Sequence, residues 1–321
     1  MSDNGVDLNV AAKDAKIAVQ TTPEPFAASP VLERRNVRWA EVGRVQHTLY
    51  QSFRYEYPGP IRDLKHELRV TPRARYGGQD LRRFDLSVTP PFALTQRTDA
   101  FGNDILGLEA DELTGGLEFE FLSTLEQVAG ASPVRLERED AELFLAPTRL
   151  TRADPHMSAV AHELRGTYKG ALAFASALNE WVYRTMRYGF GATDTRTPAA
   201  AALAGGVGLC QDYAHIMVAL CRAAGIPVRY VSGHMLGEGG SHAWVEVLLP
   251  ERGGYAAYGF DPTNRRRPGL DYLTVAVGRD YSDVPPTAGS FNAPYGGELS
   301  CTKRAGLTRV EYRSGEVLVA S

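Results

Sequence analysis

Cysteine is scarce. Cys210, Cys221 and Cys301 are the three in 321 residues, too few and too scattered for a disulfide framework. Long apolar runs are absent too, and nothing approaches the roughly 18–20 residues that cross a bilayer as a helix. Neither charge sign dominates: 35 basic residues against 38 acidic ones leave a formal net charge of −3, which argues against a nucleic-acid binder. The opening Met1-Ser2-Asp3-Asn4-Gly5 has no basic stretch leading into an apolar core, so no secretory leader is expected. No Gly-Lys-Ser/Thr follows the glycines near Cys210, which excludes a phosphate loop, and no His/Cys cluster has zinc spacing. These absences predict a cytoplasmic protein with no membrane segment, metal or cofactor.

What is present is a change of period along the chain. Residues 1–30 are rich in Ala, Asp, Thr and Pro and are expected to be a flexible tail, with a short amphipathic helix over Val10–Val19 as an option. Residues 31–150 read as an all-β, sandwich-like domain. Leu49, Gln51, Phe53 and Tyr55 alternate, as do Phe84, Leu86 and Val88, and Pro58-Gly59-Pro60, Gly77-Gly78 and Pro90-Pro91 break the strands. From Ser158 to Arg187 the period becomes helical, through Leu164, Tyr168, Ala171, Leu172, Ala175, Leu178 and Val182. The boundary is placed near Ala146–Pro155, giving a second, α+β domain over 151–321.

The chemistry concentrates around Cys210. Gly206 and Gly208 lead into a helix that Gly225 and Pro227 end, with Tyr213, Met217, Leu220, Cys221 and Ala224 on one face. Cys210 continues that face at the first turn, where partial positive charge and unpaired N–H groups favour a thiolate and can hold an oxyanion. Cys221, mid-helix, reads as a small core residue, and so does Cys301.

Two further segments supply partners. Ser241–Leu249 and Tyr255–Asn264 read as hairpin strands joined through Pro250–Gly254. A turn centred between Glu251 and Arg252 sets His242 directly opposite Asp261, with Cβ atoms about 4.5–5.5 Å apart, unless a bulge at Gly259 intervenes. Cys, His and Asp in that order suit a nucleophile, a base and a group that orients the base.

The segments Gly-Leu-Cys210-Gln-Asp-Tyr-Ala-His215, Cys221-Arg-Ala-Ala-Gly-Ile-Pro227, His242-Ala-Trp-Val-Glu-Val and Phe260-Asp261-Pro-Thr-Asn264 together resemble the bacterial transglutaminase-like superfamily. The resemblance covers about residues 155–285. Residues 30–146 more loosely resemble the β-rich domain that precedes such cores, through Asp99-Ala-Phe-Gly-Asn103. It implies a papain-like α+β core in which a helix carrying Cys210 packs on an antiparallel sheet. Cys210 would be the nucleophile, His242 the general base and then acid, and Asp261 the residue orienting the histidine. No calcium site of the animal enzymes is recognisable, so no metal is implied.

The expected activity is a cysteine peptidase or amidase acting on peptide, protein or glutamine-type amides through a thioester, with hydrolysis favoured over transamidation. The competing reading is a protein-binding scaffold with an idle triad. Trp244, Tyr188 and His234 are candidate substrate-binding residues, Trp244 as a cleft wall and Tyr188 as a second oxyanion donor. His215 and Asp212 are read as structural. Arg265-Arg-Arg267 could draw an acidic substrate or could be a solvated run, and Gly237-Glu-Gly-Gly240 a lid or a plain loop.

Overall fold

The computed structural model describes residues 30–320, together with the backbone of β1 (Ala15–Ile17). The expected flexible tail otherwise lies outside the described residues; where a helix was considered, β1 is extended and pairs with Leu94–Gln96. By contacts the chain divides into two compact units, one of residues 30–74, 80–126 and 285–320 and one of 75–79 and 127–284.

The first unit is built from β2 (Val42–Glu56), β3 (Ile61–Leu68), β5 (Gln79–Thr89), β6 (Leu94–Thr98), β7 (Asp104–Leu113) and β8 (Gly116–Val128). To these the chain's end adds β16 (Thr287–Asn292), β17 (Glu298–Tyr312) and β18 (Val317–Val319). One sheet runs β1-β6-β7-β3-β16, and another contains β18-β17-β2-β8-β5. A single apolar cluster draws on both, with Phe53, Leu64, Leu106, Phe119 and Phe121 at its centre. Alternation does this: β8 buries Leu117, Phe119, Phe121, Ser123 and Leu125 and turns the residues between them outward.

The second unit sets helices on an antiparallel sheet. Its helices are α1 (Arg138–Glu142), α2 (Pro155–Thr167), α3 (Ala171–Thr185), α4 (Ala199–Gly205) and α5 (Cys210–Ala223). Its strands are β4 (Arg75–Tyr76), β9 (Arg135–Leu136), β10 (Arg187–Tyr188), β11 (Val207–Gly208), β12 (Val228–Met235), β13 (His242–Glu251), β14 (Gly254–Phe260) and β15 (Tyr272–Gly278). The main sheet has the order β15-β12-β13-β14-β9, and β10 pairs in parallel with β11. Met157, Phe174, Leu178, Met217, Leu220, Val245, Val247 and Phe260 form one core between the helices and the sheet. Asp154 caps α2 by accepting from the Met157 N–H at 2.7 Å, ahead of Pro155 in the first turn. The helical period read as one stretch from 158 to 187 is two helices, because the chain turns at Gly170 (φ +87) between α2 and α3.

Both domain limits differ from the expected ones. Residues 127–150 go with the second unit, because Leu136 pairs with Tyr255 and the Phe144 carbonyl accepts from Arg222 Nε at 2.8 Å. Residues 285–320 leave the expected 151–321 domain because β16 pairs with β3 and β17 runs along β2. Among the described residues, no helix is long and apolar enough to cross a membrane.

Candidate active site

Cys210 opens α5 and is half-buried. Asp212, at the third helical position, accepts from the Leu209 N–H at 2.8 Å and from Thr193 Oγ1 at 2.7 Å, which fixes the entry to the helix. That is the structural role expected of it. Burial leads the causes that raise the Asp212 pKa, against those two bonds.

His242 begins β13 and is buried. Its Nε2 lies 2.8 Å from Oδ2 of Asp261, which is itself wholly buried. The route to this contact differs from the expected register. Val245 pairs with Phe260 and Glu251 with Gly254, so the turn is Arg252-Gly253, with Gly253 at φ +85. Glycine takes that angle without strain, so the turn sits one residue later than expected and the register moves by two. A shift of two keeps every side chain on its face. Asp261 therefore meets His242 as a diagonal neighbour rather than as its direct opposite.

Asp261 is held from every side. Its Oδ2 also accepts from Tyr272 Oη at 2.6 Å and Asn264 Nδ2 at 2.8 Å, and its Oδ1 accepts from the N–H groups of Thr263 (2.9 Å) and Asn264 (3.2 Å). Tyr272 in turn accepts from Arg266 Nε at 2.8 Å, and Arg266 Nη2 lies 2.9 Å from Asp271. Burial alone would raise the Asp261 pKa, but the bonds from His242, Asn264 and Tyr272 outweigh it and lower it. On His242 burial works the other way, and Asp261, Cys210 and Glu238 outweigh it to raise the imidazole to about 12. With Nε2 held by Asp261, Nδ1 is the nitrogen left for Cys210. The same Nδ1 lies 3.1 Å from Glu238 Oε2, without an aligned hydrogen bond.

The other candidates separate into two groups. Tyr188 lies on β10, half exposed, and burial, Cys210 and Glu238 together push its pKa up to about 12. It pairs with Gly208, two residues before Cys210, and packs against Tyr213 and Phe190. Trp244 and His234 are buried, at 1% and 4% exposure, as His242 itself is at 2%, so neither presents an open surface. Trp244 stacks behind His242 with centroids 6.2 Å apart, and Tyr272 meets both rings edge-on, so these aromatics fix the imidazole plane. His215 is structural: its Nε2 accepts from the Tyr281 N–H at 3.1 Å, and burial, with Arg222, lowers it to about 3. The arginine run is engaged internally: Arg265 pairs with Glu180, Arg266 with Asp271, and Arg267 covers the Phe260 ring at 4.5 Å. Sequence reasoning passed over Tyr272, Asn264, Arg266 and Glu238 individually. Only Asn264 carried a signal, as the last residue of the Asp-Pro-Thr-Asn turn. Among the described residues, no three His, Cys, Asp or Glu side chains converge as a metal-holding group.

Comparison with known proteins follows the same division. Residues 158–259 match the family model described as the transglutaminase-like superfamily, and residues 44–126 match the bacterial transglutaminase-like N-terminal region. An uncharacterized protein of Mycobacterium leprae is 34% identical over 158 residues, covering 46% of this chain and 54% of that protein. One of Mycobacterium bovis is 36% identical over 120 residues, covering 34% of this chain and 38% of that protein. The similarity thus spans about half or less of these relatives' length. A solved structure from Cytophaga hutchinsonii, provisionally described as a cysteine protease, shares the fold with a TM-score of 0.65 over 81% of this chain and 91% of that one, at 22% identity.

Proposed function

The chain belongs to the transglutaminase-like superfamily, and from that premise we propose that it is a cysteine-nucleophile hydrolase or acyltransferase of peptide or glutamine-type amides. Cys210 is the nucleophile, His242 the base and acid, and Asp261 the orienting carboxylate. The observation that carries the reading is His242 itself: Nε2 is bound at 2.8 Å to a buried carboxylate, and Nδ1 is left for a half-buried cysteine at a helix N-terminus.

In the proposed reaction Cys210 Sγ attacks the amide carbon, and the carbonyl electron pair moves onto oxygen. N–H groups of the first turn of α5 stabilise that oxyanion. His242 passes its Nδ1 proton to the leaving nitrogen, the C–N bond breaks, and a thioester forms. Water then attacks, losing a proton to Nδ1, and the C–S bond breaks to release the acid and restore Cys210. An amine in place of water would give a new amide. Hydrolysis is favoured because the nucleophile is partly open to solvent. A cytoplasmic location is part of the same proposal.

The test is acid-quenched mass spectrometry of the protein with a panel of peptide amides, beside Cys210→Ala. An acyl adduct on Cys210, lost together with hydrolysis in the variant, is expected. Hydrolysis that survives in Cys210→Ala overturns the assignment.

A further inference from the structure

Both nitrogens of the His242 imidazole face a carboxylate. Asp261 on Nε2 is buried and saturated with donors, whereas Glu238 on Nδ1 is 35% exposed and stands 3.1 Å away. The ring does not need Glu238 for its orientation, since Asp261, Trp244 and Tyr272 already define its plane. Glu238 is nonetheless placed by the backbone. Its N–H donates to the Met235 carbonyl at 3.2 Å, closing a turn whose third residue is Gly237 at φ +88. The expected loop is therefore a turn that presents a carboxylate to the base.

Charge does not balance at this point. With Cys210 as thiolate and His242 as imidazolium, Asp261 and Glu238 leave two uncompensated negative charges. The cations of the following segment are engaged elsewhere: Arg265 shares Glu180 with Arg184, Arg266 pairs with Asp271, and Arg267 donates to the Gly259 carbonyl and covers the Phe260 ring. Tyr188, 50% exposed, pairs with Gly208 just before Cys210, its ring partner Phe190 is 81% exposed, and aromatic faces attract cations.

We propose that Glu238 is a specificity-determining residue that selects amides whose amine-side fragment carries a positive charge. The proposal rests on the reading of Cys210 and His242 given above. His242 delivers its proton from Nδ1 to the departing nitrogen, so a group beside Nδ1 borders the leaving fragment rather than the acyl fragment. A lysine- or arginine-like cation on that fragment meets Glu238, while an anionic fragment is repelled there and at Asp261. The amine leaves with the proton from Nδ1 and its own positive charge unchanged, and the acyl group stays on sulfur.

The experiment measures the rate of disulfide formation on Cys210 by three methanethiosulfonates: methyl (neutral), 2-aminoethyl (cationic) and 2-sulfonatoethyl (anionic). It uses full-length protein in a Cys301→Ser background, with and without Glu238→Gln. The expected result is a cation-to-anion rate ratio that falls roughly tenfold in Glu238→Gln and narrows in high salt. An equal ratio in the two proteins overturns the proposal. The neutral reagent separates this from the activity reading. If it modifies Cys210 equally with and without His242→Ala, the nucleophile–base pair fails, while the charge ratio still reports on Glu238. As a second readout, Glu238→Gln should lower kcat/KM more for peptides with a basic leaving fragment than for neutral ones, whatever it does to the base that both share; equal loss on both would overturn it.

Discussion

The two sides of the His242 ring are built in opposite ways. On the Nε2 side, Asp261 accepts five hydrogen bonds with no solvent exposure, and Arg266 supports Tyr272 from behind. On the Nδ1 side no hydrogen bond closes the ring in, one partly exposed carboxylate on a glycine turn stands nearby, and the thiol assigned to it is half-buried. The first side is rigid because a buried charge is tolerable only when every lone pair is met. In the proposed reaction the second is the side from which substrate enters, and it is left open. A base needs both: a fixed plane and a free nitrogen.

The largest expected effect breaks the closed side. Asp261→Asn turns an amide N–H₂ toward groups that are themselves donors. The turnover of the proposed reaction should fall on the order of 10⁴-fold, and urea denaturation should show a loss of about 3 kcal/mol. Undiminished turnover would mean that the carboxylate does not orient the base. Tyr272→Phe removes one of the three donors to Oδ2 and strands Arg266 Nε. A loss of about 1.5–3 kcal/mol and a turnover lower by roughly tenfold are expected, the hydrogen bond being to a charged group.

A third prediction uses pH. The folded pKa of His242, about 12, lies above the unfolded value near 6.5, so its contribution to stability is complete below about pH 6.5 and is lost as pH rises toward 12. Between pH 9 and 11, where thiols of the unfolded chain are ionised as well, stability should decline more steeply in the wild type than in His242→Gln. Parallel denaturation curves would show that the proton is not held. The smallest effect is on the open side: Glu238→Gln should change stability by no more than about 0.5 kcal/mol, because the carboxylate is partly solvated. A loss as large as that of Asp261→Asn would erase the contrast between the two sides.

The same contrast governs what the sequence discloses. Cys210 is legible because the glycines before it, the apolar face after it and the Gly-Ile-Pro stop define a helix start. His242 and Asp261 are legible as a same-face pair, since a register error of two leaves face parity intact. The exact turn was not, because Pro250–Gly254 offers two adjacent glycines, both at positive φ, and only the strand pairing shows where the turn is centred. Tyr272 reaches Asp261 from β15, which pairs with β12 and not with β14, so no local spacing announces it. The burial of Trp244 and His234 was not legible for a related reason: β12 and most of β13 are buried on both faces, and alternation there distinguishes no outer side. The β-rich unit was legible as strands, but its later strands β16 and β17 lie far along the chain from their partners β3 and β2.

The central claim, that Cys210 and His242 act as one unit held by Asp261, is most directly tested by iodoacetamide alkylation of Cys210, located by peptide mass, in the wild type and His242→Ala from pH 5 to 8. The account predicts a wild-type rate well above that of the variant at every pH in that range. Equal rates throughout would contradict it, because the thiol would then react without its histidine.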